Sequence, residues 1–164
     1  MTAALQENEA VAQETWEQDW DFFNSVFHPL IKKPEHEQSQ AEFELYSLGS
    51  INVEIANGGT PAVWYNMGWH LLPAARACCI RIDAQDHTRI LERLMAIADA
   101  VLPANMAMRE QLMRSGDQET LDRMAEENEE VMESLGHAWC ENEPELFTLL
   151  ARHIRSNPSV YQVP

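Results

Sequence analysis

Apolar positions along this chain recur at helical rather than strand spacing. Between Val11 and Leu30, Trp16, Trp20, Phe23 and Phe27 fall at offsets of 4, 7 and 11, which places them in one stripe of an amphipathic helix. Glu14, Glu17 and Asp21 project from the opposite face. Pro29 and Pro34, with Lys32 and Lys33 between them, mark its end. Ser39 is the expected N-cap of a second helix from Gln40 to about Asn57, carrying Phe43, Leu45, Tyr46 and Leu48. Asn57-Gly58-Gly59 is its stop signal, because glycine tolerates the left-handed conformation that ends a helix.

Pro61 suits the first turn of a short helix, Ala62 to Met67, and another follows from Leu71 to Ile82 with Pro73 near its start. Asp83 reads as the N-cap of Ala84 to Leu102, striped by Ile90, Leu91, Leu94, Ile97, Ala98 and Val101. Pro103 divides this from a short helix ending at Ser115-Gly116. Asp117 then caps a helix to Leu135, and Glu143-Pro144 opens a last one through Phe147, Leu150 and Ile154, closed by Asn157-Pro158. No alternating β-branched pattern competes with these helices. The expectation is one all-α domain over residues 1–164, a compact bundle of about six to eight helices with short turns.

Charge sharpens this picture. The chain holds 27 acidic residues against 11 Lys and Arg, a formal net charge of −16. The excess lies in two blocks. Residues 1–60 hold 11 acids and 2 bases, and residues 115–145 hold 11 acids and 1 base, with a nearly neutral middle between them. Such a field repels phosphate backbones and anionic lipid, which argues against direct binding of nucleic acid or a membrane and favours a basic partner.

On a helical wheel of the second block, Leu121, Met124, Ala125, Asn128, Val131, Met132 and Leu135 share one face. Glu119, Asp122, Glu126, Glu127, Glu129, Glu130 and Glu133 occupy the other, with Arg123 as the one cation among them. A helix from Asp117 to Glu133 would carry roughly one carboxylate per 3 Å of axis, close to the ~3.4 Å between phosphates along a DNA strand. Like charges at i and i+4, such as Glu126 with Glu130 and Glu129 with Glu133, cost a few tenths of a kcal/mol per pair. The surface is therefore expected to serve a partner, although an acidic face also promotes solubility. Glu14, Glu17, Asp21, Glu35, Glu37, Glu42 and Glu44 are candidates for a second row.

Motifs for other chemistry are missing. The start has no basic or apolar leader pattern, and no run approaches the ~20 apolar residues of a membrane span. Cys78, Cys79 and Cys140 have no Cys-x-x-Cys spacing and read as buried free thiols of a reduced cytoplasmic protein. The His-Glu-x-x-His and Glu-x-x-His patterns, the phosphate-binding Gly-x-x-x-x-Gly-Lys loop and the Gly-x-Ser-x-Gly elbow do not occur. No metal, cofactor or catalytic residue is expected. Trp64, Tyr65 and Trp69 read mainly as core anchors, with a pocket as the alternative.

At Glu54-Ile55-Ala56-Asn57-Gly58-Gly59, followed by Trp64-Tyr65-Asn66, the sequence resembles the acidic all-helical bacterial DNA-mimic family. The resemblance extends over residues 42–158, through Ala74 to Ile82, Pro103 to Arg109 and Leu149 to Pro158. It departs where Thr60-Pro61 replaces the aromatic residue common after Gly-Gly. The resemblance implies a non-catalytic protein, often a homodimer, whose carboxylates imitate duplex phosphates and occupy the DNA-binding surface of a helix-turn-helix transcription factor. The alternative is an immunity-type or adaptor protein that holds a basic toxin or enzyme through the same acidic faces.

Overall fold

Helix ends in this chain are set by identifiable side chains, and they determine where the acidic segments lie. The computed structural model describes residues 2–67, 71–101 and 118–161; side chains before Thr15, including that of Glu14, lie outside the described ones. Helix α1 (Thr2–Lys32) begins earlier than the aromatic stripe predicts and runs through Pro29 into its last turn. The Gln38 amide donates to the carbonyls of Leu30 and Lys33, at 3.1 and 2.8 Å, and so ties the following turn back onto the helix end. A 3₁₀ turn, Glu35–Glu37, leads to α2 (Gln40–Ala62). Ser39 caps α2 as expected, in a reciprocal box: Ser39 Oγ accepts from the Glu42 N–H, and Glu42 Oε2 accepts from the Ser39 N–H. The predicted stop is also present. Gly59 adopts φ 71°, ψ −178°, a kink after which the chain resumes at Thr60-Pro61 and passes into a π turn, Val63–Met67.

Helix α3 (Leu71–Arg81) ends differently from expectation. Asp83 is not an N-cap: it stands at φ 63°, with its N–H on the Ile80 carbonyl and the following Ala84 N–H on Cys79. Those two bonds form a Schellman ending with Asp in the position usually held by glycine, a conformation that short polar side chains tolerate. Helix α4 (Gln85–Val101) therefore starts one residue later than predicted.

The acidic segment departs further from the sequence reading. The expected helix from Asp117 to Leu135 is two helices, α5 (Gln118–Glu127) and α6 (Glu129–Ser156), broken at Asn128 with φ −123°, ψ 12°. The break turns Val131, expected on the buried face, to 36% exposure, while Met132 is buried. Conversely, Glu143-Pro144 does not open a new helix, because α6 continues through Pro144. An interior proline costs roughly 3 kcal/mol. Here Pro144 faces solvent, and continuity lets Trp139, Leu146, Phe147, Leu150 and Ile154 enter the core on one helix. A short α7 (Pro158–Tyr161) closes the described chain. The readings placed on Trp69, on the helix after Pro103 and on Asp117 lie outside the described residues, as do the side chains of Leu121 and Met124. Every regular element among the described residues is helical, and the fold is all-α.

The α1 stripe packs as predicted. Trp20 meets Phe147 edge-on at 4.4 Å, Phe23 lies 5.2 Å from Phe147, and Phe23 and Phe27 stack at 5.3 Å. Helix α2 runs antiparallel to α6, pinned by three hydrogen bonds. Asn52 accepts from Trp139 Nε1 at 2.7 Å and donates to Glu143 at 3.0 Å, and Thr60 Oγ1 donates to the Met132 carbonyl at 2.8 Å.

His87 completes this layer, its ring edge-on to Trp139 at 4.6 Å and 2% exposed. Burial pushes its pKa down to about 4, against the opposing pull of the hydrogen bond to the Trp139 backbone and of Asp86. The unfolded chain therefore binds a proton below about 6.5 that the fold refuses until about 4, so this group destabilises the fold as pH falls through that window. The loss approaches about 3 kcal/mol. Denaturant titrations from pH 7 to 4 should show this slope in the wild type and a shallower one in His87→Phe; equal slopes would mean that His87 does not carry it.

Candidate protein-binding surface

Burial divides the predicted acidic residues into two groups. Glu42 and Glu44 are each 3% exposed and do not belong to any exposed row. Glu42 takes both oxygens to Lys33 Nζ, at 2.8 and 2.9 Å, and Glu44 takes Arg81 Nε and Nη2 at 3.0 and 2.7 Å. Burial pushes the Glu42 carboxyl up, but the hydrogen bonds from Lys33 and Ser39 outweigh it and hold the group below its ordinary range. Asp19 is likewise buried, against Arg155 at 2.7 Å. Lys33, just past α1, Arg81 on α3 and Arg155 on α6 thus neutralise three carboxylates of the first block, because a buried charge is tolerated only when paired.

Among the described residues of that block, Glu17, Asp21, Glu35 and Glu37 are exposed. Glu17 and Asp21 flank Asp19, whose partner Arg155 is at the C-terminal end of α6. Glu35 and Glu37 precede α2, which starts at the same end because it is antiparallel to α6. Along α6, Arg155 and Glu133 are about 33 Å apart. That is several Debye lengths at physiological salt, so the two blocks act separately rather than as neighbouring rows.

The other end is anionic. Glu119, Asp122, Glu126 and Glu127 on α5, with Glu129, Glu130 and Glu133 on α6, are all exposed. The bend at Asn128 makes this two short rows at an angle, each still with roughly one carboxylate per 3 Å. Arg123 reaches Glu127 only at 4.0 Å. Among the described residues, Glu126, Glu129, Glu130 and Glu133 form no ion pair. Tyr65 anchors α5 to the π turn by donating its hydroxyl to Asp122 at 2.8 Å, and burial and that carboxylate push the phenol pKa up, so it stays a donor. Asn66 similarly donates to Glu54 at 2.7 Å, adding to this end an acidic residue that sequence patterns did not single out.

Sequence reasoning also missed a groove. It measures about 530 Å³ and opens beside the row, between the Gly59 kink, the end of α5 and the start of α6. Pro61 and Ala125 line its apolar part, over the buried Ile55 and Met132; Glu126, Glu129 and Glu133 line its rim. Neither Trp64 nor Tyr65 lines it: Trp64 is 2% exposed in the core, as an anchor, and Trp69 lies outside the described residues. Cys140 lines the groove and is exposed, unlike the buried thiol expected for it, whereas Cys78 and Cys79 are buried. Burial pushes the Cys79 thiol up to about 12. No group of three or more His, Cys, Asp or Glu side chains among the described residues is placed to hold a metal ion, and no described helix is long and apolar enough to cross a membrane.

Together these features define an acidic, all-helical protein with its densest described run of exposed carboxylates at the α5–α6 end. The chain belongs to the DMP19-like protein family, whose profile matches residues 36–157. Comparison with curated proteins and with solved structures gives no significant match.

Proposed function

We propose that this protein is a non-catalytic DNA mimic that occupies the DNA-binding surface of a helix-turn-helix transcription factor and blocks its access to DNA. The observation that carries the reading is the set of seven exposed carboxylates, Glu119 to Glu133, presented from two helices with Arg123 alone among them. Lys and Arg side chains that contact phosphates in DNA would pair with these groups, and their spacing would position the partner as backbone contacts do. Membership of the DMP19-like family supports the same reading. A homodimer belongs to it, since a second copy would lengthen the anionic surface toward a duplex footprint.

Capture from host extract at low salt, with elution by excess sheared duplex DNA, tests it. A DNA-binding regulator released by the duplex is the expected result. A partner that duplex DNA cannot displace would overturn mimicry in favour of an adaptor or immunity role.

A further inference from the structure

Imitating phosphates requires charge at regular spacing; it gives no reason for an apolar cleft among the carboxylates. The groove beside the row has a structural origin in two glycines. Gly59, at φ 71°, turns α2 aside, and Gly136 leaves the facing wall of α6 without a side chain. The Thr60 hydroxyl, bonded to the Met132 carbonyl, ties those walls together. The result is a cleft within the size range of side-chain and small-ligand sites, with half-buried Pro61 and Ala125 above the buried Ile55 and Met132, and edged by Glu126, Glu129 and Glu133.

We propose that this groove seats an apolar side chain from a basic amphipathic helix of the partner protein, with Lys or Arg residues on either side of it paired to Glu126, Glu129 and Glu133. The occupant follows from charge complementarity. A second copy of this chain would bring its own carboxylate row against the rim, and nucleic acid or anionic lipid meets the same repulsion. Glu129 and Glu133 are one turn apart on α6, roughly 6 Å, which is also the spacing of cations at i and i+4 on a facing helix. An aliphatic residue between such cations matches the apolar floor. The inference rests on the basic-partner reading and deepens it: the carboxylates attract many DNA-binding proteins, and the groove selects among them. Its contribution is hydrophobic and therefore persists at salt concentrations that screen the row.

Two synthetic helical peptides of equal length and charge provide the probe, one with a single Leu flanked by Arg at i+3 and i+4 spacing, the other with that Leu replaced by Ala. The full chain is expected to bind the Leu peptide roughly 10- to 100-fold more tightly, the effect of burying one large apolar side chain. Gly136→Met should erase that preference by filling the groove. The position accepts a side chain, since a Cβ there would meet only Thr60, at 3.7 and 3.9 Å, and replacing a helical glycine favours folding. Alkylation of Cys140, at mildly alkaline pH because its thiol is shifted upward by burial and Glu143, should be slowed by the Leu peptide and not by the Ala peptide. Equal affinity for the two peptides, or a Leu preference that survives Gly136→Met, would overturn the groove while leaving the carboxylate row intact. Failure of both peptides to bind at low salt would overturn the basic-partner reading itself.

Discussion

Replacing Gly49 with valine is expected to destabilise the fold by about 3 kcal/mol and to lower its melting temperature by roughly 10 °C. A Cβ at this position would lie 2.5 and 2.7 Å from two atoms of the Phe27 ring and 3.0 Å from the Phe23 ring, where carbon contacts normally settle near 3.5–4.0 Å. The rings have little room to retreat. Phe23 is held against Phe147 at 5.2 Å and stacks on Phe27 at 5.3 Å, and both are at most 3% exposed. Gly49→Ala isolates the cause, because alanine in a helix interior would otherwise gain about 1 kcal/mol over glycine. Thermal and urea unfolding followed by circular dichroism should therefore show even the alanine variant below wild type. An alanine variant at or above wild-type stability would mean that the Phe27 ring yields, and that α1 and α2 do not depend on this contact.

The same contact shows which parts of the fold were legible in the sequence. Periodicity placed the aromatic stripe of α1, and local chemistry placed the Ser39 cap and the Gly59 stop, because each depends on residues within a few positions. Asp83 was misread since an Asp accepts helix-capping and left-handed roles alike, and only the bonds from its N–H and from Ala84 decide between them. Pro144 was misread because its local penalty is outweighed by the burial of Trp139 and Phe147 on one continuous helix. Charge was legible as a total and not as a surface. Glu42 and Glu44 look no different in sequence from Glu126 and Glu129, yet they are buried and paired with Lys33, just past α1, and Arg81 of α3. The groove left no linear trace, being assembled from α2 and from both sides of the break at Asn128. The first acidic face is thereby reduced, with Glu42 and Glu44 paired internally, while all seven candidates on α5 and α6 stay exposed.

Converting Glu126, Glu127, Glu129 and Glu130 to glutamine is accordingly expected to abolish partner capture while leaving stability within about 1 kcal/mol of wild type. The wheel for an unbroken helix predicts a gain in stability from relieved repulsion, Glu126 against Glu130 included. The break at Asn128 removes that regular pairing and places Glu129 and Glu130 in the first turn of α6, where negative charge complements the helix dipole by about 0.3–1 kcal/mol each. Relief and loss therefore offset each other in the free protein. In the complex nothing offsets the loss: at about 1 kcal/mol per carboxylate–cation contact, four substitutions weaken binding roughly 10³-fold. The slope of affinity against salt should fall with the number of contacts removed, as it does when phosphates are removed from a DNA site. Titration calorimetry with the captured regulator at several salt concentrations, beside a thermal melt of each variant, separates the two effects. Glu17→Gln, Asp21→Asn, Glu35→Gln and Glu37→Gln together, four exposed charges at the far end of the bundle, are the matched control and should change neither. Unchanged affinity in the fourfold variant would remove this end from the interface, whereas equal losses in the variant and the control would mean that net charge alone, and not its placement on α5 and α6, attracts the partner.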